Sequence, residues 1–339
     1  MKRAKYLAAA AFLAAAMLAG SAAAEDDRSQ IDTSVSIRPG SHIAVVSKNV
    51  KGAFWKTLRQ GMEDAVKDIN EAYGFSRDQS ITMTFEGAKD EMDVEKQINT
   101  LDAVIAENPD VLCLCASDMD SCRAQLEEAA ENGIPVVTFD ATVSDDRLVS
   151  SYIGTDNVAL GRLAAEKLLE MLDGKGRIAV FSEQRKTSSI QGRIEGFLSC
   201  MEAEEGITVL DVVYQDEVED MEAAMEAVLD ENPELSAVFC TNADVSDLYL
   251  NLIKGREDTP LFVGTDATPE QQAALKEGIE AGCVSQDPYR IGYETLLTAA
   301  AYTQPPDAAV FPEKEQLFEP RWIDAEGFSD PENESYLYK

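Results

Sequence analysis

Four polar residues stand where short apolar runs end: Asp140 after VVTF (136–139), Asn242 after AVFCT (237–241), Asp266 closing LFVGTD (261–266), and Gln286, with Asp287, closing CVSQD (283–287). Runs rich in β-branched and aromatic residues, bounded by turn residues, read as strands buried on both faces of a parallel sheet. In open sheets of that kind ligands bind beyond the carboxyl ends of the strands, so these positions can present acceptors and donors to a polar molecule. A hydroxyl both donates and accepts, which suits carboxylates and amides to a polyhydroxylated ligand, while aromatic faces suit the C–H surface of its ring. Phe54 and Trp55, just after the first strand's loop, can supply that face. Two readings remain open for Trp55, which also falls on the apolar period of a helix, and for Asp140, which also fits an Asx turn or helix cap.

Catalytic chemistry finds little purchase. The chain has a single histidine, His42, ahead of the first strand, so no Ser/His or Cys/His pairing is available. No G-x-S-x-G, Walker A or G-x-G-x-x-G motif occurs, and GKG (174–176) reads as a helix stop. Asp118 and Asp120 fit turn residues or metal ligands equally, but no metal and no cofactor is expected. Cys113, Cys115, Cys240 and Cys283 lie in or beside apolar runs, where cysteine acts as a small hydrophobe. The six cysteines are expected to be free thiols, with a bridge through Cys122 or Cys200 left open.

The elements that position these residues alternate. IAVVS (43–47) is a strand, and Trp55, Leu58, Met62, Ala65, Val66 and Ile69 repeat at helical spacing after the loop KNVKGA. ITMTFEG (81–87), VLCLC (111–115) and VVTF (136–139) are further strands, separated by helices over 92–107 and 119–132. A helix over 158–172 ends at Gly174 and Gly176, and the pattern restarts. IAVFS (178–182), a helix over 189–204, TVLDVVY (208–214), a helix over 221–231, AVFCT, a helix over 245–254 and LFVGTD follow. Helices over 269–277 and 291–301, a turn at Pro305 and Pro306, and a closing segment over 317–323 complete the pattern. Such alternation predicts an α/β protein with two doubly wound parallel-sheet lobes, right-handed crossovers and a cleft between them.

Lys2, Arg3 and Lys5, an alanine-rich apolar run to Gly20, and the small residues Ala22 and Ala24 predict a signal peptide over 1–24, and hence an exported protein of the periplasm or cell surface. Leu18, Ala19 and Gly20 read like the start of a lipoprotein box, but Ser21 stands where the lipid-bearing cysteine belongs. With 29 basic against 63 acidic residues the net charge is −34, which argues against a nucleic-acid partner. Residues 25–40 read as a flexible linker, and the acidic tail, 324–339, is expected to be loosely held.

The segments IAVVSKNVKGAFWKTLRQG, NGIPVVTFD, SSYIGTDN, AVFCTNAD, VGTDATPE and VSQDPYRIGYE, in this order and spacing, resemble the periplasmic sugar-binding proteins of the ribose and galactose type, the substrate-binding subunits of ABC importers. The resemblance covers about Ile43 to at least Tyr293. It implies two lobes joined by three hinge crossings, near Gly154–Asn157, Gln286–Pro288 and Pro312–Leu317, with 41–155 plus 287–314 in the first lobe and 156–286 plus 315–323 in the second. It implies a monomer that closes on a sugar, polyol or related polar molecule and delivers it to a membrane permease, or else presents its closed form to a sensor ectodomain. Phe54, Trp55, Asp140, Asn242, Asp266 and Gln286 match the family's ligand contacts in kind. Ala141 and Gln191 fall where ribose-type members carry arginines, so Gln191 joins the expected contacts, with Lys48, Lys51 or Arg185 as replacement cations.

Overall fold

The computed structural model describes residues 31–304 and 312–339; the leader expected over 1–24 and the turn at Pro305 and Pro306 lie outside the described residues. Among the described residues no helix is long and apolar enough to cross a membrane. The first lobe runs β1 (His42–Ser47), α1 (Gly52–Ala72), β2 (Thr82–Gly87), α2 (Val94–Ala106), β3 (Val111–Leu114), α3 (Arg123–Glu131), β4 (Val136–Phe139) and β5 (Ser151–Thr155). The second runs α4 (Asn157–Leu172), β6 (Gly176–Ser182), α5 (Ser188–Met201), β7 (Ile207–Val209), β8 (Val213–Tyr214), α6 (Met221–Glu231), β9 (Ala237–Cys240), α7 (Ala243–Ile253), β10 (Leu261–Thr265), α8 (Pro269–Glu277) and β11 (Gly282–Ser285). The chain then returns through α9 (Pro288–Ala301) and β12 (Glu315–Phe318) before β13 (Arg321–Ile323).

Two sheets result. One has the order β12-β5-β4-β3-β1-β2, all parallel; the other has β13-β11-β10-β9-β6-β7, with β8 on β6 and β13 antiparallel to β11. The two-residue period of each strand sorts its side chains to opposite faces. In β1, Ile43 and Val45 pack beneath α1 and α9 while Ala44 and Val46 pack beneath α2 and α3. In β6, Ile178 and Val180 meet α4 and α5, and Ala179 and Phe181 meet α6 and α7.

The chain passes between the sheets at Asp156, at Gln286–Asp287 and at Glu319–Pro320. The third passage is later than the sequence expectation of 312–317, because Glu315–Phe318 hydrogen-bonds along β5 before leaving the first sheet. The strand expected over 208–214 is divided, since this edge segment leaves β6 after Val209 and rejoins it at Val213. Residues 31–40 do not hang free: the Tyr73 hydroxyl donates to the Val35 carbonyl at 2.5 Å, and the Arg38 N–H donates to Thr303 Oγ1 at 3.1 Å. Nor is the acidic tail loose. Tyr338 is 1% exposed, and two 3₁₀ turns, Gly327–Ser329 and Pro331–Tyr336, fold the segment against β11 and β13. Its few apolar residues are the ones that dock, which a composition average conceals.

Candidate ligand cleft

The carboxyl ends of the two sheets face one another around a cavity of about 170 Å³. Asp140 follows β4 and Asp266 follows β10, equivalent places in the two sheets, and both have left-handed backbones, with φ of 57° and 76°. Aspartate tolerates that conformation better than bulkier residues, and its cost is stored where a structure must aim a side chain. Both carboxylates are buried and line the cavity. Asp266 accepts from the Gln286 amide at 2.8 Å and from the Ala243 N–H, at the start of α7, at 3.1 Å. A helix N-terminus thereby faces a carboxylate.

Lys48, at the end of β1, is 5% exposed and lies 3.1 Å from Glu91 and 3.7 Å from Asp140. Burial presses its ammonium toward neutrality, but Glu91, Asp140 and Glu183 outweigh it and hold the charge well beyond the ordinary lysine range. Burial raises the Asp140 carboxyl despite Lys48 and Arg193. Glu91 is the converse case: burial opposes its charge, yet Lys48 and the hydrogen bonds around it keep its carboxyl low. Trp55 donates its indole N–H to Glu91 at 2.6 Å, packs edge-on against Phe54, and has the Lys48 ammonium 5.7 Å from its ring centre. Trp55 belongs to the core beneath α1 and also lines the cavity, so its position fits both readings that the sequence left open.

Lys48, Phe54, Trp55, Asp140, Asn242, Asp266 and Gln286 all border this one space, and Asn242 Oδ1 is buried there without a partner. Gln191 does not join them. It is exposed on the outer side of α5, where its amide donates to the Arg185 carbonyl at 3.2 Å. Arg185 also faces outward, stacked on Tyr214 and paired with Glu217 at 2.6 Å, whereas Lys51 lines the cavity.

A periplasmic binding protein domain model matches residues 43–305. The chain belongs to that family. The D-allose-binding periplasmic protein of Escherichia coli is 23% identical over 76% of this chain and 83% of its own, and the D-ribose/D-allose-binding protein of Pseudomonas aeruginosa is 26% identical over 70% and 74%. Among solved structures, an ABC transporter solute-binding protein from Agrobacterium vitis, bound with α-D-tagatopyranose, superposes with a TM-score of 0.79 at 28% identity, covering 88% of this chain and 99% of that one.

This periplasmic binding protein also has cavity residues that the sequence reading passed over. Arg193 is 3% exposed, reaches the cavity from α5, and donates to Asn157 Oδ1 at 2.9 Å and to the Thr241 carbonyl at 2.7 Å. Its signal was present: Ile190, Arg193, Ile194 and Phe197 repeat at helical spacing on the buried face, with Gln191 off it. Glu183 directly follows β6, so the strand-end rule that selects Asp140 selects it too. Glu91 carries no such mark, being in the loop after β2. Oxygens of Glu91, Glu183 and Asp244 lie within 4.8 Å of one another, close enough to share a cation. Burial, with the negative Glu91 beside it, raises the Glu183 carboxyl well above its ordinary range, which favours a shared proton between the two.

Elsewhere the chemistry is structural. All six cysteines are free, with Cys200 the least enclosed. His42 bonds Thr82 and Thr84 near the amino end of the first sheet, away from the cavity. Asp118 accepts the N–H groups of Asp120 and Ser121, the pattern of a turn.

Proposed function

We propose that this chain is an exported solute-binding protein that captures a monosaccharide-like ligand between its lobes and delivers it to an ABC transporter permease, without making or breaking a bond. The observation that carries this reading is the pairing of Asp140 and Asp266, one at each sheet's carboxyl edge, around a cavity that also holds Phe54, Trp55, Asn242 and Gln286. At about 170 Å³ the space suits one sugar ring, given that a cavity of about 150 Å³ accepts a single six-membered ring. Relatives named for D-allose and D-ribose, and a neighbour bound to tagatopyranose, support the same ligand class. Each sheet supplies part of the hydrogen-bonding set, so only a closed form satisfies the ligand fully, and the ligand shifts the population toward closure by that difference.

The cavity also selects by charge. Seven carboxyl groups and three cations line it, and the buried cation Lys48 is already engaged by Glu91 and Asp140, so an anionic ligand finds little compensating charge. The test is a thermal-shift screen against pentoses, hexoses, ketoses, 6-deoxy sugars and inositols, followed by calorimetry on any hit and on its uronic acid or phosphate ester. A neutral sugar at a hundred times Kd should add about 2.7 kcal/mol of stability, and its acidic counterpart should bind more weakly. No shift with any member of the panel would overturn the reading.

A further inference from the structure

The last residues of the chain reach the cleft from behind. Tyr338 is anchored to the second lobe three times: its hydroxyl donates to Asp266 Oδ1 at 2.7 Å, its N–H donates to the Ala267 carbonyl at 3.1 Å, and its carbonyl accepts from the Gln272 amide at 2.8 Å. Its ring packs edge-on against Phe54 of the first lobe, with centroids 5.8 Å apart. One buried side chain thus touches both a carboxylate and an aromatic ring that border the cavity, each from a different lobe, without bordering the cavity itself.

The approach of the tail is held as well. Ser285, at the end of β11, donates to the Tyr336 carbonyl at 2.6 Å, and Ser335 donates to Asp287 Oδ2 at 2.8 Å, so the tail grips the passage at Gln286–Asp287 on both sides. Gln286 in turn donates to Asp266 Oδ1, the oxygen that Tyr338 also engages. With two donors on Oδ1 and the start of α7 on Oδ2, Asp266 is fixed in the left-handed geometry that aims it at the cavity. Removing the phenol frees a carboxylate whose backbone is strained in that pose.

We propose that Tyr338 is a positioning residue of the ligand site, setting Asp266 through its hydroxyl and Phe54 through its ring, so that the carboxyl-terminal segment 335–339 is a working part of the cleft. This rests on the cavity being the ligand site. Precise placement of hydrogen-bonding groups by partners outside the contact set is what turns a polar cleft into a tight one.

The experiment compares the wild-type protein with Tyr338→Phe and Tyr338→Ala, using D-tagatose, D-allose and D-ribose as calorimetric probes, with melting temperatures of the unliganded proteins alongside. Tyr338→Phe keeps the ring on Phe54 and deletes only the phenol's hydrogen bonds, to Asp266 and to its neighbours Ser285 and Gln286; it should weaken the probe that binds by about tenfold while leaving the unliganded melting point close to wild type. Tyr338→Ala should weaken it further. Wild-type affinity in Tyr338→Phe, or a lowered melting point with affinity intact, would overturn the proposal. Should the wild type bind none of the three, small-angle scattering of the unliganded proteins decides instead. A larger radius of gyration in Tyr338→Ala supports a tail that ties the lobes, and an unchanged one sinks it, whatever the fate of the sugar reading.

Discussion

Lys48 shows how one residue governs the electrostatics of the cleft. Its ammonium is the near cation for the buried Asp140 and for Glu91, whose side chain is 11% exposed, and removing one partner of such a set leaves the others charged and poorly solvated. Lys48→Met should therefore cost about 3–5 kcal/mol at pH 7. The deficit should shrink in acid, because protonating the stranded carboxyls removes the penalty; denaturant titrations at pH 7 and pH 5 would measure it. Asp247, also in the cavity wall, gives a second pH signature. Burial raises its carboxyl to about 7 from an unfolded value near 3.8, so the native state holds a proton that the unfolded state has already released. Its contribution is neutral below the unfolded value and turns destabilising as pH climbs to about 7. Asp247→Asn should flatten that fall in melting temperature across this window.

Among the elements, two helix pairs fix the lobes by the same device. Gly61 and Gly292 let α1 and α9 meet backbone to backbone, and Gly161 and Gly196 do so for α4 and α5. A Cβ on Gly292 would overlap the Leu58 carbonyl oxygen, which cannot yield as a flexible side chain can. Gly292→Ala should thus cost about 1–3 kcal/mol, the usual range for overpacking, read as a lower melting temperature. Because α1 carries Phe54 and Trp55 and α9 follows the Gln286 passage, separating this pair should also weaken ligand binding, which calorimetry would register. The equivalence of these pairs was not legible in the composition or in the periodicity alone. It depends on which helices the crossovers bring together, and α1 and α9 are more than 200 residues apart.

At the scale of the whole molecule, the lobes touch across the mouth of the cleft. Thr187 Oγ1 donates to the Ser117 carbonyl at 2.8 Å, the Thr142 N–H donates to Ser188 Oγ at 2.8 Å, and the Met119 N–H donates to the Lys186 carbonyl at 3.1 Å. These bonds join loops of the two lobes; under the proposed capture by lobe closure they would hold the arrangement described here and be lost once the lobes part. Thr187→Val should weaken ligand binding by about 0.5–1.5 kcal/mol, chiefly by faster release, with little change in the stability of the unliganded protein. Stopped-flow dissociation and thermal melts would separate these effects. Equal losses in both would assign Thr187 to the fold instead.

The sequence by itself determined the α/β class and the strands that end at the cleft, because strands buried on both faces must be written in apolar runs and their exits in polar residues. The same logic groups Asp140, Asn242, Asp266 and Gln286 as strand-end residues. Helical phase over 190–197 puts Arg193 on the buried face and Gln191 off it. What the tertiary structure alone decided is convergence from distant segments: Glu91 on Lys48, Tyr338 on both Asp266 and Phe54, and the passage of β12 through the first sheet before the last crossing. No local pattern marks these contacts, since each partner is chosen by the closing of the two sheets on one another. The acidic tail is the plainest case: its average composition argues for solvent, and a single buried tyrosine outweighs that average by finding a carboxylate and a ring already in place.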